Sequence, residues 1–270
     1  MIDTLHPFTA AVRANEVKSA LPSDLSSAEL RTLDAAVKRK SFISARTMLT
    51  DLLDQYKFDV ESIINPKTEQ RADRVTPENP EGNVTTGLNQ AYARQGIKDL
   101  LRGLGYAPEP GEAGTLKDLS SNPRINLVLK TNTELAQGAG RFIQMNNPDV
   151  LDQFPAQELV RFEQRMKVRD WEARWAAAAD ESGDEDAAKC LEDSGRMVAL
   201  KDSEIWQALG DGAGGYDDTL GNPYPPFAFN SGMWVQSVSR SDAEELGLID
   251  PGEKAEPHPL DLGELFGVAA

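Results

Sequence analysis

The residue types that most often perform catalysis or hold metals are scarce in this chain. Its two histidines, His6 and His258, each precede a proline near one end of the sequence, where the following ring favours extended backbone. Cys190 has no second cysteine with which to form a disulfide or a thiolate zinc site. Ser-His-Asp or Cys-His catalysis and His-ligated metals therefore have little to draw on. Acids present the reverse case. Forty-four Asp and Glu guarantee carboxylate pairs at any spacing, so no single pair identifies general acid/base work.

Gly210, Gly212 and Gly215 spell G-x-G-x-x-G. A dinucleotide fingerprint needs a strand before these glycines and a helix after them. Here helix-like IWQAL precedes and YDDTLGNP follows, so a flexible loop is expected and no cofactor. Asp211, Asp217 and Asp218 on that loop are of a type that suits calcium, but solvated loop acids are the simpler reading and no metal is assigned.

Two stretches carry more information. Arg161, Arg165, Lys167, Arg169 and Arg174 form the most basic segment, with Trp171 and Trp175 interleaved. Guanidinium stacks on indole and forks onto carboxylate or phosphate. The arginines then either pair internally with Glu163, Asp170 and Glu172 while the indoles fill a core, or face a partner or nucleic acid. The second stretch is Tyr224 to Met233, with Pro225 and Pro226 fixing extended backbone, aromatic side chains on both sides, and Asn230 and Gly232 suited to a tight turn. Such a peptide suits a rigid buried loop that closes a small module.

The elements that must position these residues read as mostly helical. Ser26 and Glu29 have capping-box spacing, with Leu30, Leu33 and Val37 following on one helical face. Phe42, Ala45, Leu49, Leu52, Leu53, Tyr56, Val60, Ile63 and Ile64 recur at three- and four-residue steps, which predicts about six turns of helix. Residues 66–85 lack periodicity and read as a linker or long loop. Thr86 is the expected cap of a third helix bearing Leu88, Ala91, Tyr92, Leu100, Leu101 and Leu104, stopped by Gly103 and Gly105. Asn122-Pro123 and Asn147-Pro148 are cap-plus-first-turn pairs.

Phe154-Pro155 is expected to open a helix through Leu159, Phe162 and Met166 towards Trp171 and Trp175. The acidic run 180–193 is expected to be a solvated insertion. Beyond it, GRMVAL and MWVQSVSR read as strands, KDSEIWQAL and SDAEELGL as short helices. The predicted fold is thus α+β, predominantly α-helical, with a small α+β C-terminal module. Its expected divisions are a helical region at 1–65, the linker at 66–85, a helical segment plus module at 86–250, and a tail at 251–270.

Length and charge bound the function. Two hundred and seventy residues suffice for one large domain or two small ones. The formal charge of −16 disfavours broad binding to nucleic acid or anionic membrane. No signal peptide and no apolar run long enough to span a bilayer is read, so a cytoplasmic protein, or a component of an assembly built there, is expected.

One series of peptides is familiar by its order. Thr133-Glu134 with Ala136, Ala139 and Arg141 comes first, followed by Arg169-Asp170-Trp171 and Arg174-Trp175. Asp193 to Leu200 follows, then Asp202 to Trp206, and last Pro225-Pro226-Phe227 to Asn230. Across about residues 125–240 this resembles the Mu F-type minor head proteins of tailed bacteriophages, the phage head morphogenesis family. The resemblance implies a non-enzymatic virion component, portal-associated, that helps head assembly and DNA packaging or delivery. Its implied partners are the portal or other head proteins, with possible contact to packaged DNA through the basic patch. It would reside in the host cytoplasm during assembly and then in the virion, in the capsid interior or at the portal vertex. Many family members carry cysteines or histidines in the arginine/tryptophan stretch and in an Asn-Cys-Arg-Cys-like closing motif. Here that motif reads Asn230-Ser231-Gly232-Met233 and Cys190 is alone, so no metal is carried over.

The residues expected in structural or contact roles are Arg169, Trp171, Arg174, Trp175, Trp206, Pro225, Pro226, Phe227 and Asn230. Two alternatives stand beside this reading: a metal-dependent hydrolase acting on nucleic acid or a cell-wall polymer through its acids, and another virion connector or adaptor protein.

Overall fold

A computed structural model describes residues 9–65, 67–70, 75–77, 80–81, 83–86, 89–164 and 168–258. The fold is predominantly helical, at 49% with eleven helices among the described residues, and carries small sheets, as the sequence predicts. It divides into two compact units: residues 1–27 with 41–140, and residues 28–40 with 141–270.

The first unit opens with α1 (Thr9–Glu16) and β1 (Ser19–Ala20). The chain then passes through α2 (Ser27–Arg31) and α3 (Ala35–Lys40). Leu30, Leu33 and Val37 therefore do not share one helix, and Val37 is exposed. The chain returns to the first unit at β2 (Ser41–Phe42), which pairs in parallel with β1. The long stripe begins as this bridge and becomes α4 only over Thr50–Ile64, four turns rather than six. Arg46 sits at φ 52° between the two parts, a left-handed position that no helix continues through.

Strands stand within the expected linker at 66–85: β3 (Lys67–Gln70) pairs antiparallel with β4 (Asn83–Thr86). Asn89 caps α5 (Gln90–Gly103) by accepting from the amides of Ala91 and Tyr92, in place of the expected Thr86. The buried face of α5 is Ala93, Ile97 and Leu101, whereas Tyr92 and Leu104 are exposed. Leu88 lies outside the described residues. Then α6 (Asn122–Met145) runs to Gly140 in this unit. The core joins Phe42, Leu52, Leu53, Tyr56 and Val60 to Ala93, Ile97, Leu101, Ile125 and Leu129.

The second unit holds α2, α3 and the last turn of α6 from Arg141. Asn147 caps α7 (Pro148–Gln153) as its sequence predicts. The segment after Pro155 is a strand, not a helix: β5 (Ala156–Arg161) is the centre of a three-stranded antiparallel sheet. Leu159 and Ala156 are buried in different clusters because neighbouring side chains leave a strand on opposite faces. Phe162, expected to be apolar helix, is exposed, and Met166 lies outside the described residues.

Next come α8 (Trp171–Ser182) and α9 (Glu185–Ser194). The acidic run is therefore not merely a solvated insertion: Ala187 and Cys190 on α9 are buried, and Asp184 caps its first turn. β6 (Val198–Leu200) and β7 (Met233–Val238) flank β5, with Gln157 opposite both Ala199 and Ser237. Between them lies α10 (Ile205–Asp211), and α11 (Arg240–Glu245) follows β7. One sheet face, bearing Leu159, Ala199, Met233 and Val235, packs on α8, α10 and the diproline loop. The other, bearing Ala156, Val198 and Val238, packs on Cys190, Ala243, Leu248 and Ile249. The described part of the expected tail ends with His258 buried, its amide donating to Asn146 Oδ1 and its ring 5.3 Å from Phe142. Burial lowers the His258 imidazole to about 4.

Candidate functional site

The nine residues expected in structural or contact roles all fall in the second unit, whereas Thr133, Glu134, Ala136 and Ala139 fall in the first. Trp175 is placed by the second turn of α8, Trp206 by the first turn of α10, and Phe227 by the loop between α10 and β7. All three are fully buried. Trp175 meets Trp206 edge to face at 5.2 Å between ring centroids, and Trp206 stacks on Phe227 at 6.0 Å. Each indole also fixes backbone: Trp206 Nε1 donates to the Leu200 carbonyl at 2.7 Å, and Trp175 Nε1 to the Ala187 carbonyl at 3.2 Å. These bonds attach α10 to the end of β6 and α8 to α9. Aromatic pairs of this geometry contribute about 0.5–1.5 kcal/mol beyond the area they bury.

The diproline loop is built as a narrow return. Leu220 donates its amide to the Phe227 carbonyl, Phe229 to that of Asp218, and Thr219 bridges Ala228. Pro225 and Pro226, joined by a cis peptide, occupy the far end of this return and are buried with every residue from Leu220 to Ala228. Proline suits burial here because it has no amide to leave unsatisfied. Asn230 (φ 52°) and Gly232 (φ 67°) turn the chain into β7, conformations that Asn and Gly tolerate best.

The two arginines hold this loop down. Arg169 donates to the carbonyls of Phe229 (2.7 Å) and Asn230 (3.2 Å), and its Nε lies 2.9 Å from Asp218 Oδ2. Arg174 donates to Asp218 Oδ1 at 2.8 Å. Its guanidinium also lies 4.0 Å from the Tyr216 ring centroid and 5.1 Å from that of Trp171, a cation between two π faces. Burial of Asp218 would raise its carboxyl, but the Arg174 hydrogen bond and the charges of Arg174 and Arg169 outweigh it and hold the group below the usual range.

Arg169 and Arg174 thus pair with Asp218, an acid outside the expected set of Glu163, Asp170 and Glu172. Asp170 accepts the Ala173 amide as the cap of α8. Residues one or two apart on a helix do not face each other, so Glu172 is poorly placed for Arg174. Asp218 was legible only as a loop acid of cation-binding type, and its ligands are guanidinium groups instead.

The glycine motif also resolves locally. Gly212 is the left-handed C-cap of α10 (φ 92°), and a helix, not a strand, precedes it. Gly210 lies so close to Asn222 that a Cβ there would overlap its carbonyl oxygen. Elsewhere, Arg196 grips Glu158 through two nitrogens at 3.1 and 2.7 Å, and Gln236 joins at 3.0 Å, so one carboxylate ties the β6 edge to β5 and β7. Among the described residues, no group of three or more His, Cys, Asp or Glu side chains is placed to hold a metal ion. No described helix is long and apolar enough to cross a membrane.

The arrangement thus binds arginine, carboxylate and aromatic faces to one another. Of the five cations in the basic stretch, Arg169 and Arg174 are engaged internally, Arg161 is exposed at the end of β5, and Arg165 and Lys167 lie outside the described residues. Two apolar side chains near this anchor are exposed: Phe162 and Val168 at 77% and 65%, and the Phe162 amide donates to the Gly232 carbonyl beside the turn. Comparison with known proteins finds no family model, no curated relative and no solved structure that matches this chain.

Proposed function

We propose that the chain is a bacteriophage minor head protein, portal-associated, which assists capsid assembly and DNA packaging or delivery through protein–protein contact. The observation that carries this reading is the convergence of three of the peptides behind the Mu F-type resemblance; the first of the series, Thr133 to Ala139, falls in the other unit. Arg169 to Trp175, Met197 to Trp206 and Pro225 to Met233 are distant in sequence, yet they share one aromatic core. Arg169 and Arg174 of the first hold the loop of the last through Asp218 and the Phe229 and Asn230 carbonyls. A set of motifs conserved in order within a family would serve this purpose: each would supply one wall of a small rigid module. The exposed Phe162 and Val168 beside the anchored turn offer such a module an apolar contact with a larger assembly.

Virions of the phage or prophage that encodes the gene provide the test. After density-gradient purification, quantitative mass spectrometry should find this chain in DNA-filled particles at a few copies per portal. Deleting the gene should lower the yield of filled, infectious heads. Particles that lack the protein, with head yield unaffected by deletion, would remove the proposal. A ring-sized assembly of the purified chain alone would favour a connector or adaptor instead.

A further inference from the structure

Two arginines are equally buried, each 8% exposed, and only one of them has a counter-charge. Arg174 meets Asp218 at 2.8 Å. Arg124, in the first turn of α6, meets neutral groups alone. Its Nη2 donates to Ser44 Oγ and to the Ala45 carbonyl, both at 2.6 Å, and lies 3.5 Å from Thr47 Oγ1. Ser44 and Thr47 are buried as well, so one corner of the guanidinium is fixed in the turn that precedes α4. Nε and Nη1 have no hydrogen-bond partner among the described residues, yet neither is shut off from water as Arg39 Nε is. These N–H groups lie low but within reach of solvent.

No carboxylate among the described residues pairs with Arg124. The turn is tied to the segment before it, where the Ser23 amide donates to the Thr47 carbonyl and the Arg46 amide to that of Leu25. Asp24 on that segment and Asp51 in the first turn of α4 are exposed, and neither forms an ion pair with Arg124. Asp59 is buried, but its Oδ1 receives Gln55 and its Oδ2 has no partner. Burial lowers the Arg124 guanidinium, and the hydroxyls of Tyr56 and Tyr106 offset this in part. An arginine stays charged at neutral pH regardless.

Taking a cation out of water without an opposing charge is strongly unfavourable. The start of the 24-residue α6 adds positive potential at the same place. Ser44 brings a hydroxyl whose own proton has no acceptor among the described residues. Free guanidinium N–H groups beside a free hydroxyl match the charged oxygens of a small anion.

We propose that Arg124 and Ser44 form a binding site for a phosphate-type oxyanion at the N-terminal end of α6, in the first unit. This assignment is independent of the assembly role. Free phosphate and the phosphoryl group of a mononucleotide present the same chemistry, and titration with each separates the two sources.

Isothermal titration calorimetry of the full chain at constant ionic strength tests the site with inorganic phosphate and with adenosine monophosphate. One binding event per chain is expected, and the tighter of the two ligands names the source. Arg124→Met abolishes binding, with circular dichroism confirming that the chain is folded. Ser44→Ala keeps the arginine and weakens binding about five- to tenfold, which carries the test if Arg124→Met fails to fold. No binding of either ligand up to about 10 mM overturns the site. So does binding that is undiminished in every variant that folds.

Discussion

Two carboxylates in this protein are shifted in opposite directions by their surroundings, and their pH signatures have opposite signs. Asp218 is held below the usual range by Arg174 and Arg169 despite its burial. Its contribution is therefore fully present above the unfolded value of about 4 and lost as pH falls below that, towards its own folded value. Asp218→Asn should cost about 1–3 kcal/mol at pH 7, with the difference from the native chain shrinking in urea titrations at acid pH. Asp59 on α4 is buried, with Gln55 donating to Oδ1 and no partner for Oδ2, and burial pushes its carboxyl up to about 6. The folded chain then binds a proton that the unfolded chain has released, so stability falls as pH rises from about 4 through about 6. Asp59→Asn should stabilise the protein at pH 7 and flatten that part of the profile in the same titrations. Trp206 is fully buried and meets both Trp175 and Phe227 in the aromatic core. Trp206→Ala should cost about 3–5 kcal/mol, whereas Trp206→Phe should cost less and report mainly the lost bond to the Leu200 carbonyl. An unchanged denaturation midpoint for Trp206→Ala would contradict its placement.

Helix α10 and the loop it faces are coupled by the absence of a side chain. Gly210 is fully inside, its carbonyl accepts the Gly221 amide at 2.8 Å, and a Cβ would overlap the Asn222 carbonyl oxygen. On an isolated helix, replacing glycine with alanine gains about 1 kcal/mol. Here Gly210→Ala should instead destabilise by about 1–3 kcal/mol, because helix and loop must separate to admit one methyl group. Calorimetry decides between the two signs. The same reasoning explains why G-x-G-x-x-G is uninformative in this chain. Gly210 permits close packing and Gly212 ends a helix at φ 92°, and neither role involves a phosphate.

Across the whole molecule, the formal charge of −16 sets the long-range field. Arg169 and Arg174, which looked available for phosphate, are occupied by Asp218 and by backbone carbonyls. The isolated protein should therefore fail to shift duplex DNA in gel retardation at about 0.15 M salt, where non-specific Kd values are typically about 10⁻⁴–10⁻⁶ M. Retention at micromolar protein would show a basic surface beyond these arginines. The proposed head function then rests on contacts between proteins, for which exposed Phe162 and Val168 are the places to introduce charge.

Local rules by themselves determined much of this protein. Asn147-Pro148 starts a helix because an amide oxygen caps it and proline suits its first turn, and MWVQSV alternates as a strand wherever it is placed. The predominance of helix and the burial of the diproline peptide were legible in the same way, whereas the place of Trp171 and Trp175 stayed open between core and contact. Tertiary structure decided what short patterns leave ambiguous. Residues 156–161 are a strand because β6 and β7 satisfy both of their edges, and such a short run carries no periodicity that excludes helix. The stripe from Phe42 splits because Arg46 turns left-handed before α4 begins. Asp218 became the arginine partner because the loop folds back across more than forty residues, and a charge's partner depends on distance in space, which sequence spacing does not encode.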